Sequence, residues 1–121
     1  RVINIGSIDG IGTPVLETYP YSASKASVHH MTRVLAARLV KENILVNAIA
    51  PGPFPSDMLG AAVEHNYEGI ISRNPVHRMG RAEDVGGLAI YLSSKAGSYT
   101  VGETITCDGG TISSSGHDLS E

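Results

Sequence analysis

Near the middle of the chain, residues 44–50 (ILVNAIA) run almost without interruption through apolar side chains and stop at Pro51-Gly52. Such a run is what a central strand of a parallel sheet needs, because helices cover both of its faces. A parallel neighbour must be reached by a crossover, and the preceding residues supply one. Residues 1–5 alternate and are β-branched (Val2, Ile3, Ile5) before Gly6-Ser7, a short strand ending in a loop. Residues 10–18 form a loop by their Gly, Thr and Pro content, and Pro20 suits the first turn of a helix beginning near Tyr19-Pro20. From residue 21 to about 40, apolar or small residues recur at Ala23, Ala26, Met31, Val34, Leu35 and Leu39, and charge gathers at Arg33, Arg38, Lys41 and Glu42. The spacing predicts a long helix whose buried face is rich in small residues, packed on a sheet or on a second copy of itself. Asn43 offers its C-cap. Strand, helix and strand make a βαβ unit of right-handed crossover, and hence an α/β fold.

Beyond this unit, PGPFPSDM (51–58) sets three prolines at alternate positions, which hold the backbone extended. Ser56 or Asp57 is placed to cap a helix running to about residue 65, with Met58, Leu59, Ala62 and Val63 on its apolar side. Residues 66–79 show weak periodicity and a Pro75 break, which suits a lid over the crevice at the strand ends or a surface excursion. A further helix is predicted over residues 81–96, with Glu83 and Asp84 in its first turn and Lys95 in its last. Gly86-Gly87 inside it points to a close backbone contact. An alternating strand, ETITC, follows and stops at Asp108-Gly109-Gly110. The serine-rich residues 113–121 predict a frayed tail, and the proximity of His117 and Asp118 within it is put down to chance.

The chain of 121 residues is the size of one domain. A formal charge of −3 with no basic stripe gives no sign of a nucleic-acid or anionic-membrane partner. No apolar run approaches the ~18 residues of a membrane span, and no targeting motif is present. The single cysteine, Cys107, forms no intrachain framework, reads as a buried inert thiol, and with the rest predicts a cytoplasmic protein.

The residues with chemical potential cluster early. Ser7 sits at the carboxyl end of a strand, where open parallel sheets bind ligands, although a turn serine bonding to nearby backbone is the plainer account of an isolated Gly-Ser. Tyr21 and Lys25 are four apart and share one helix face. A fixed cation near a phenol favours the phenolate, so this pair can make a proton donor and acceptor usable near neutral pH. His29 and His30 are adjacent, point in different directions and cannot form a helical metal pair; both read as structural or surface residues, and no metal site is expected. A serine hydrolase built on Ser7 is disfavoured because residue 5 is isoleucine, which breaks the G-x-S-x-G elbow.

VINIGS, YSASKA, VNAIAPG, GRAEDV and TCDGG, in that order and spacing, resemble the short-chain dehydrogenase/reductase family over nearly all of residues 1–110. The combination of YSASKASVHHMTRVLA with NAIAPGPFPSDM looks most like the 3-oxoacyl-carrier-protein reductase branch, in the forms related to rhamnolipid biosynthesis. The resemblance implies a Rossmann-like doubly wound parallel sheet, with this chain as its carboxyl-terminal half (residues 1–110) and 111–121 as a polar tail. It implies hydride transfer between NADP(H) or NAD(H), the former slightly favoured, and a small-molecule carbonyl, secondary alcohol or acyl thioester. Ser7 would hydrogen-bond the substrate oxygen, Tyr21 would be general acid in reduction and base in oxidation, and Lys25 would bind the nicotinamide ribose and favour the phenolate. Pro51, Gly52 and the backbone near Phe54 would line the nicotinamide pocket. Ser56 takes the place of a hydroxyl near the carboxamide or phosphates. The long helix, with the final helix and strand, would form the interfaces of a homo-dimer or homo-tetramer.

Two departures stand out. Ser7 precedes Tyr21 by one residue more than the family spacing, so the loop near TPVLETYP carries an insertion; Tyr19 cannot replace Tyr21, because its i+4 residue is Ala23. The chain also has no Gly-rich strand-to-helix turn for a pyrophosphate, no acidic or basic residue choosing between NAD and NADP, and no upstream relay asparagine. The expectation is the back half of a longer enzyme, or else a non-catalytic fragment serving as an oligomerisation or binding module.

Overall fold

A computed structural model of the chain describes residues 1–57 and 60–114, the side chains of 61–65 excepted. Three strands, β1 (Val2–Ile5), β2 (Val46–Pro51) and β3 (Thr104–Cys107), form one parallel sheet in the order β1-β2-β3. Helix α1 (Tyr19–Leu39) joins β1 to β2, and α2 (Gly60–Ser72) and α3 (Ala82–Ser93) lie between β2 and β3. The α/β class and the parallel sheet are as the sequence predicts. No helix among the described residues is long and apolar enough to cross a membrane.

The apolar run occupies the centre of the sheet. Val46, Ala48, Ile49 and Ala50 are fully buried, with Ile49 opposite Ile5 on one side and Ile105 on the other. Asn47, the one polar residue of the run, is satisfied within the core. Its amide donates to the Thr100 carbonyl (2.9 Å) and accepts from the Glu103 N–H (3.0 Å), fastening the chain that enters β3.

Helix α1 begins with Tyr19-Pro20 and ends in a short 3-10 turn, Val40–Glu42, closed by Asn43 in the left-handed conformation (φ 60°) that asparagine tolerates. Its buried face differs from the predicted one. Ala23, Ala26, Met31 and Val34 are exposed, and the fully buried positions are His29, Thr32 and Ala36. The inward stripe is polar because its side chains bond to β1.

Helix α2 runs to Ser72, so the lid or loop expected from residue 66 is shorter than predicted. The backbone kinks at Asn66 (φ −146°, ψ 34°), and the Asn66 side chain lies over Gly69, the place an N-cap side chain reaches when it restarts a helix. Met58 and Leu59 lie outside the described residues.

Helix α3 is shorter than predicted, and Lys95 falls in a 3-10 turn after it. The Arg78 guanidinium grips the Asp84 carboxylate at 2.7 and 3.2 Å, and the Arg81 N–H donates to the same group at the helix start. These bonds hold the Asp84 carboxyl down at about 2. Gly86 and Gly87 make no close contact among the described residues: a Cβ at either would enter open space. The tight approach is at Gly97, where a Cβ would meet the Tyr91 carbonyl.

After β3, the Asp108 carboxylate accepts from the N–H groups of Gly110 (3.0 Å) and Ile112 (2.9 Å), and Asn74 donates to its carbonyl (3.2 Å). Gly109 has φ +62°, and a Cβ there would strike Asn74, so this turn needs glycine. Residues 113–114, expected in a frayed tail, belong to this turn, with the Ser114 N–H donating to the Gly110 carbonyl (3.0 Å). The rest of the tail, His117 and Asp118 included, lies outside the described residues. Cys107 is half-buried, and burial pushes its thiol up, with Asp84 and Asp108 adding to the effect. That disfavours the reactive thiolate.

Candidate active site

The inward stripe of α1 meets β1 at successive points along the strand. Deepest, the Asn4 amide donates to the Thr32 hydroxyl at 3.0 Å. Nearer the strand's carboxyl end, the Lys25 ammonium donates to the Ile5 carbonyl at 3.1 Å. The Ser7 N–H then donates to His29 Nε2 at 3.2 Å. Residues 21, 25 and 29 recur every four positions, so one helix face presents all three side chains.

Ser7 leaves β1 in extended conformation (φ −166°, ψ 151°) and starts a 3-10 turn, Ile8–Gly10. Nothing in the residue pattern marks this turn beyond a loop. The Ser7 hydroxyl oxygen accepts from the Asp9 N–H at 3.1 Å, which leaves its O–H as a donor. A Cβ at Gly10 would strike the backbone of Lys25 and Ala26, so the turn lies directly against the helix. Lys25 Nζ stands 5.7 Å from the centroid of the Tyr21 ring. Tyr21 is half-buried, whereas Tyr19 is 73% exposed. Ser7 and Lys25 are thus held at the end of β1, with Tyr21 beside the lysine.

The end of β2 stands alongside. The Gly6 N–H donates to the Ile49 carbonyl (2.8 Å), so Ser7 and Pro51 leave the sheet at the same height. Pro51, Phe54 and Ile5 line an open apolar cleft of about 660 Å³. Gly52 turns elsewhere: a Cβ there would meet Asp108, so it packs on the turn after β3. The Phe54 ring also covers Gly80, and Ser56 is exposed on the way to α2. An apolar wall of this kind suits a flat ring such as nicotinamide; the Lys25 ammonium, which suits a ribose diol, does not line the cleft but bonds to the carbonyl of Ile5, which does.

His29 is the residue whose part the sequence understates. It is 4% exposed, and burial pushes its imidazole below the ordinary value; Arg33 and Lys25 push the same way, and the Gly10 backbone opposes them. Its spacing from Lys25 is the signal that places it on this face. His30 is exposed and lies 3.1 Å from Arg33. Asp9, on the facing turn, has its carboxyl raised by burial.

Residues 1–112 match the family model described as enoyl-(acyl carrier protein) reductase. The chain is 46% identical over 112 residues to the rhamnolipids biosynthesis 3-oxoacyl-[acyl-carrier-protein] reductase of Pseudomonas aeruginosa, covering 91% of this chain and 44% of that protein. It is 38% identical over 119 residues to the short-chain dehydrogenase/reductase PhomF′ of Diaporthe leptostromiformis, covering 93% and 40%. Among solved structures, the Pseudomonas aeruginosa RhlG/NADP active-site complex superposes with a TM-score of 0.81 at 43% identity, over 92% of this chain and 46% of that one. The chain spans under half the length of these relatives.

Proposed function

The chain belongs to the short-chain dehydrogenase/reductase family, and we propose that it supplies the proton-transfer half of an oxidoreductase that moves hydride between NADP(H) or NAD(H) and a carbonyl or secondary alcohol. A 3-oxoacyl thioester is the substrate class that fits its relatives' names, and NADP(H) is favoured by the complex named above. The observation that carries this proposal is the Tyr21–Lys25 pair, anchored through the Ile5 carbonyl to the strand end that presents Ser7.

When bound, the reduced nicotinamide supplies the hydride. The Ser7 O–H donates a hydrogen bond to the substrate's carbonyl oxygen, which fixes that oxygen beside Tyr21 and takes up part of its developing charge. As the carbonyl carbon gains hydride, the C=O π pair moves to oxygen, and the Tyr21 O–H bond breaks to deliver the proton there. A secondary alcohol results, and the tyrosinate beside the Lys25 cation regains its proton from solvent. In oxidation each step reverses. Pro51, Phe54 and Ile5 exclude water from one wall of the cleft, and Lys25 has N–H donors for a ribose diol. The exposed Met31 and Val34 on the outer side of α1 support a homo-dimer or homo-tetramer.

The test is Tyr21→Phe against Tyr19→Phe in the complete protein. Tyr21→Phe leaves cofactor binding nearly intact and lowers turnover by about 10²- to 10⁴-fold, the usual worth of a positioned acid; Tyr19→Phe is mild. Equal effects assign the wrong tyrosine. A second reading, a binding or oligomerisation module without catalysis, draws support from the exposed Met31 and Val34 on the outer side of α1. Calorimetry of the chain alone with NADPH separates the two, because stoichiometric binding defeats the module.

A further inference from the structure

His29 is a buried polar side chain that this mechanism leaves unused. Its ring is wedged beneath the two residues at which β1 turns out of the sheet. Nε2 accepts the Ser7 N–H at 3.2 Å, and a Cβ at Gly6 would fall on the same nitrogen. A neutral imidazole accepts at one nitrogen and carries its proton on the other, so the proton belongs on Nδ1. Nδ1 is buried and finds no hydrogen-bond partner among the described residues. An unsatisfied buried donor is unfavourable, and a leucine would fill this place without it. What leucine lacks is the acceptor for Ser7.

Resting on the assignment of Ser7 to the substrate oxygen, we infer that His29 is a positioning residue, which holds the Ser7 backbone so that its hydroxyl meets the carbonyl at the height set by Tyr21 and Lys25. Ser7 is then held at three points, at its N–H by His29, at Oγ by the Asp9 N–H and at its carbonyl by the Gly10 N–H (3.0 Å), which leaves its O–H to point at a substrate. Because Tyr21, Lys25 and His29 sit on one helix, the acid, the cation and the support for the serine move as one body. The arrangement requires a neutral imidazole, since a second proton on Nε2 would set donor against donor. Burial favours the neutral form, the Gly10 backbone opposes it, and the charges of Arg33 and Lys25 add to the effect of burial; Asp9 is the ionisable group of the facing turn.

The experiment is a double-mutant cycle in the complete protein, following NADPH oxidation with a 3-oxoacyl thioester. His29→Leu lowers kcat by about 10- to 100-fold, the scale of an ångström-sized misplacement, with the cofactor KM little changed. His29→Gln, whose Oε1 reaches the Nε2 position, recovers most of the loss. In a Ser7→Ala background, His29→Leu changes kcat by less than about twofold, because its effect runs through the missing hydroxyl. Equal losses in both backgrounds, or no recovery by glutamine, overturn the positioning role and leave the Ser7 assignment standing. Ser7→Ala without effect overturns that assignment, and the positioning role with it. A readout independent of variant folding is the side-chain nitrogen spectrum of the unaltered protein. The proton lies on Nδ1 at neutral pH; a proton on Nε2 contradicts the inference.

Discussion

The two sides of α1 invert the usual order of an amphipathic helix. The side against β1 carries Lys25, His29 and Thr32, all bonded to the strand or its exit, while the outer side exposes Met31 (48%) and Val34 (43%). Burying polar groups is unfavourable unless each finds a partner. The inner stripe largely meets that condition by bonding to β1, with Ser22 Oγ and His29 Nδ1 as the exceptions. It thereby fixes, residue by residue, where the strand end stands relative to the helix that bears Tyr21. The outer side fixes nothing among the described residues. The proposed catalytic pair and its support therefore sit on the side where hydrophobic patterning predicts solvent.

Changes on the inner side should be large and coupled to β1. Gly6→Ala drives a methyl into the His29 ring and should destabilise the complete protein by about 1–3 kcal/mol, the range of overpacked cores. Combining it with His29→Ala should recover much of that loss in thermal or urea unfolding. Additive losses would mean the ring is not wedged beneath Gly6. Thr32→Val comes next. It strips the acceptor from the half-buried Asn4 amide and should cost about 1–2 kcal/mol; a neutral result would uncouple the stripe from the strand.

A smaller effect follows from pH. The folded His29 binds its proton less readily than the free side chain, whose ordinary value is 6.5. As pH falls below that value the unfolded chain takes up protons first, so stability drops, and it levels off once the folded imidazole is also protonated. Lys25 and Arg33 reinforce this, while Asp9, raised by burial, acts in the opposite sense at lower pH. Subtracting the urea profile of His29→Gln isolates the histidine; identical profiles would count against a buried neutral ring. Smallest of all, Met31→Lys on the outer side should shift the stability of a monomeric form by no more than about 0.5 kcal/mol. A larger loss in the native assembly would show that this side is covered there.

Much of this was legible in the sequence. The run at 44–50 could be little else than a central strand, and Pro20 and Asn43 marked the two ends of α1. The Tyr21–Lys25 spacing alone puts the phenol and the ammonium on one face. Other features depend on contacts that periodicity does not encode. The buried side of α1 was misplaced because its apolar residues lie on the outer face. The restart of α2 at Asn66 rests on a local cap. The freedom around Gly86 and Gly87 depends on what faces them, and the part played by His29 depends on Gly6, which lies far away in sequence.

The most direct test of the account is the choice between two thioesters. Given NADPH, the complete protein should reduce a 3-oxoacyl thioester to the 3-hydroxyacyl product, with proton delivery abolished by Tyr21→Phe, and leave a 2-enoyl thioester unchanged. Turnover of the enoyl thioester alone would contradict it, because the reacting carbon would then bear no oxygen for Ser7 to hold and Tyr21 to protonate.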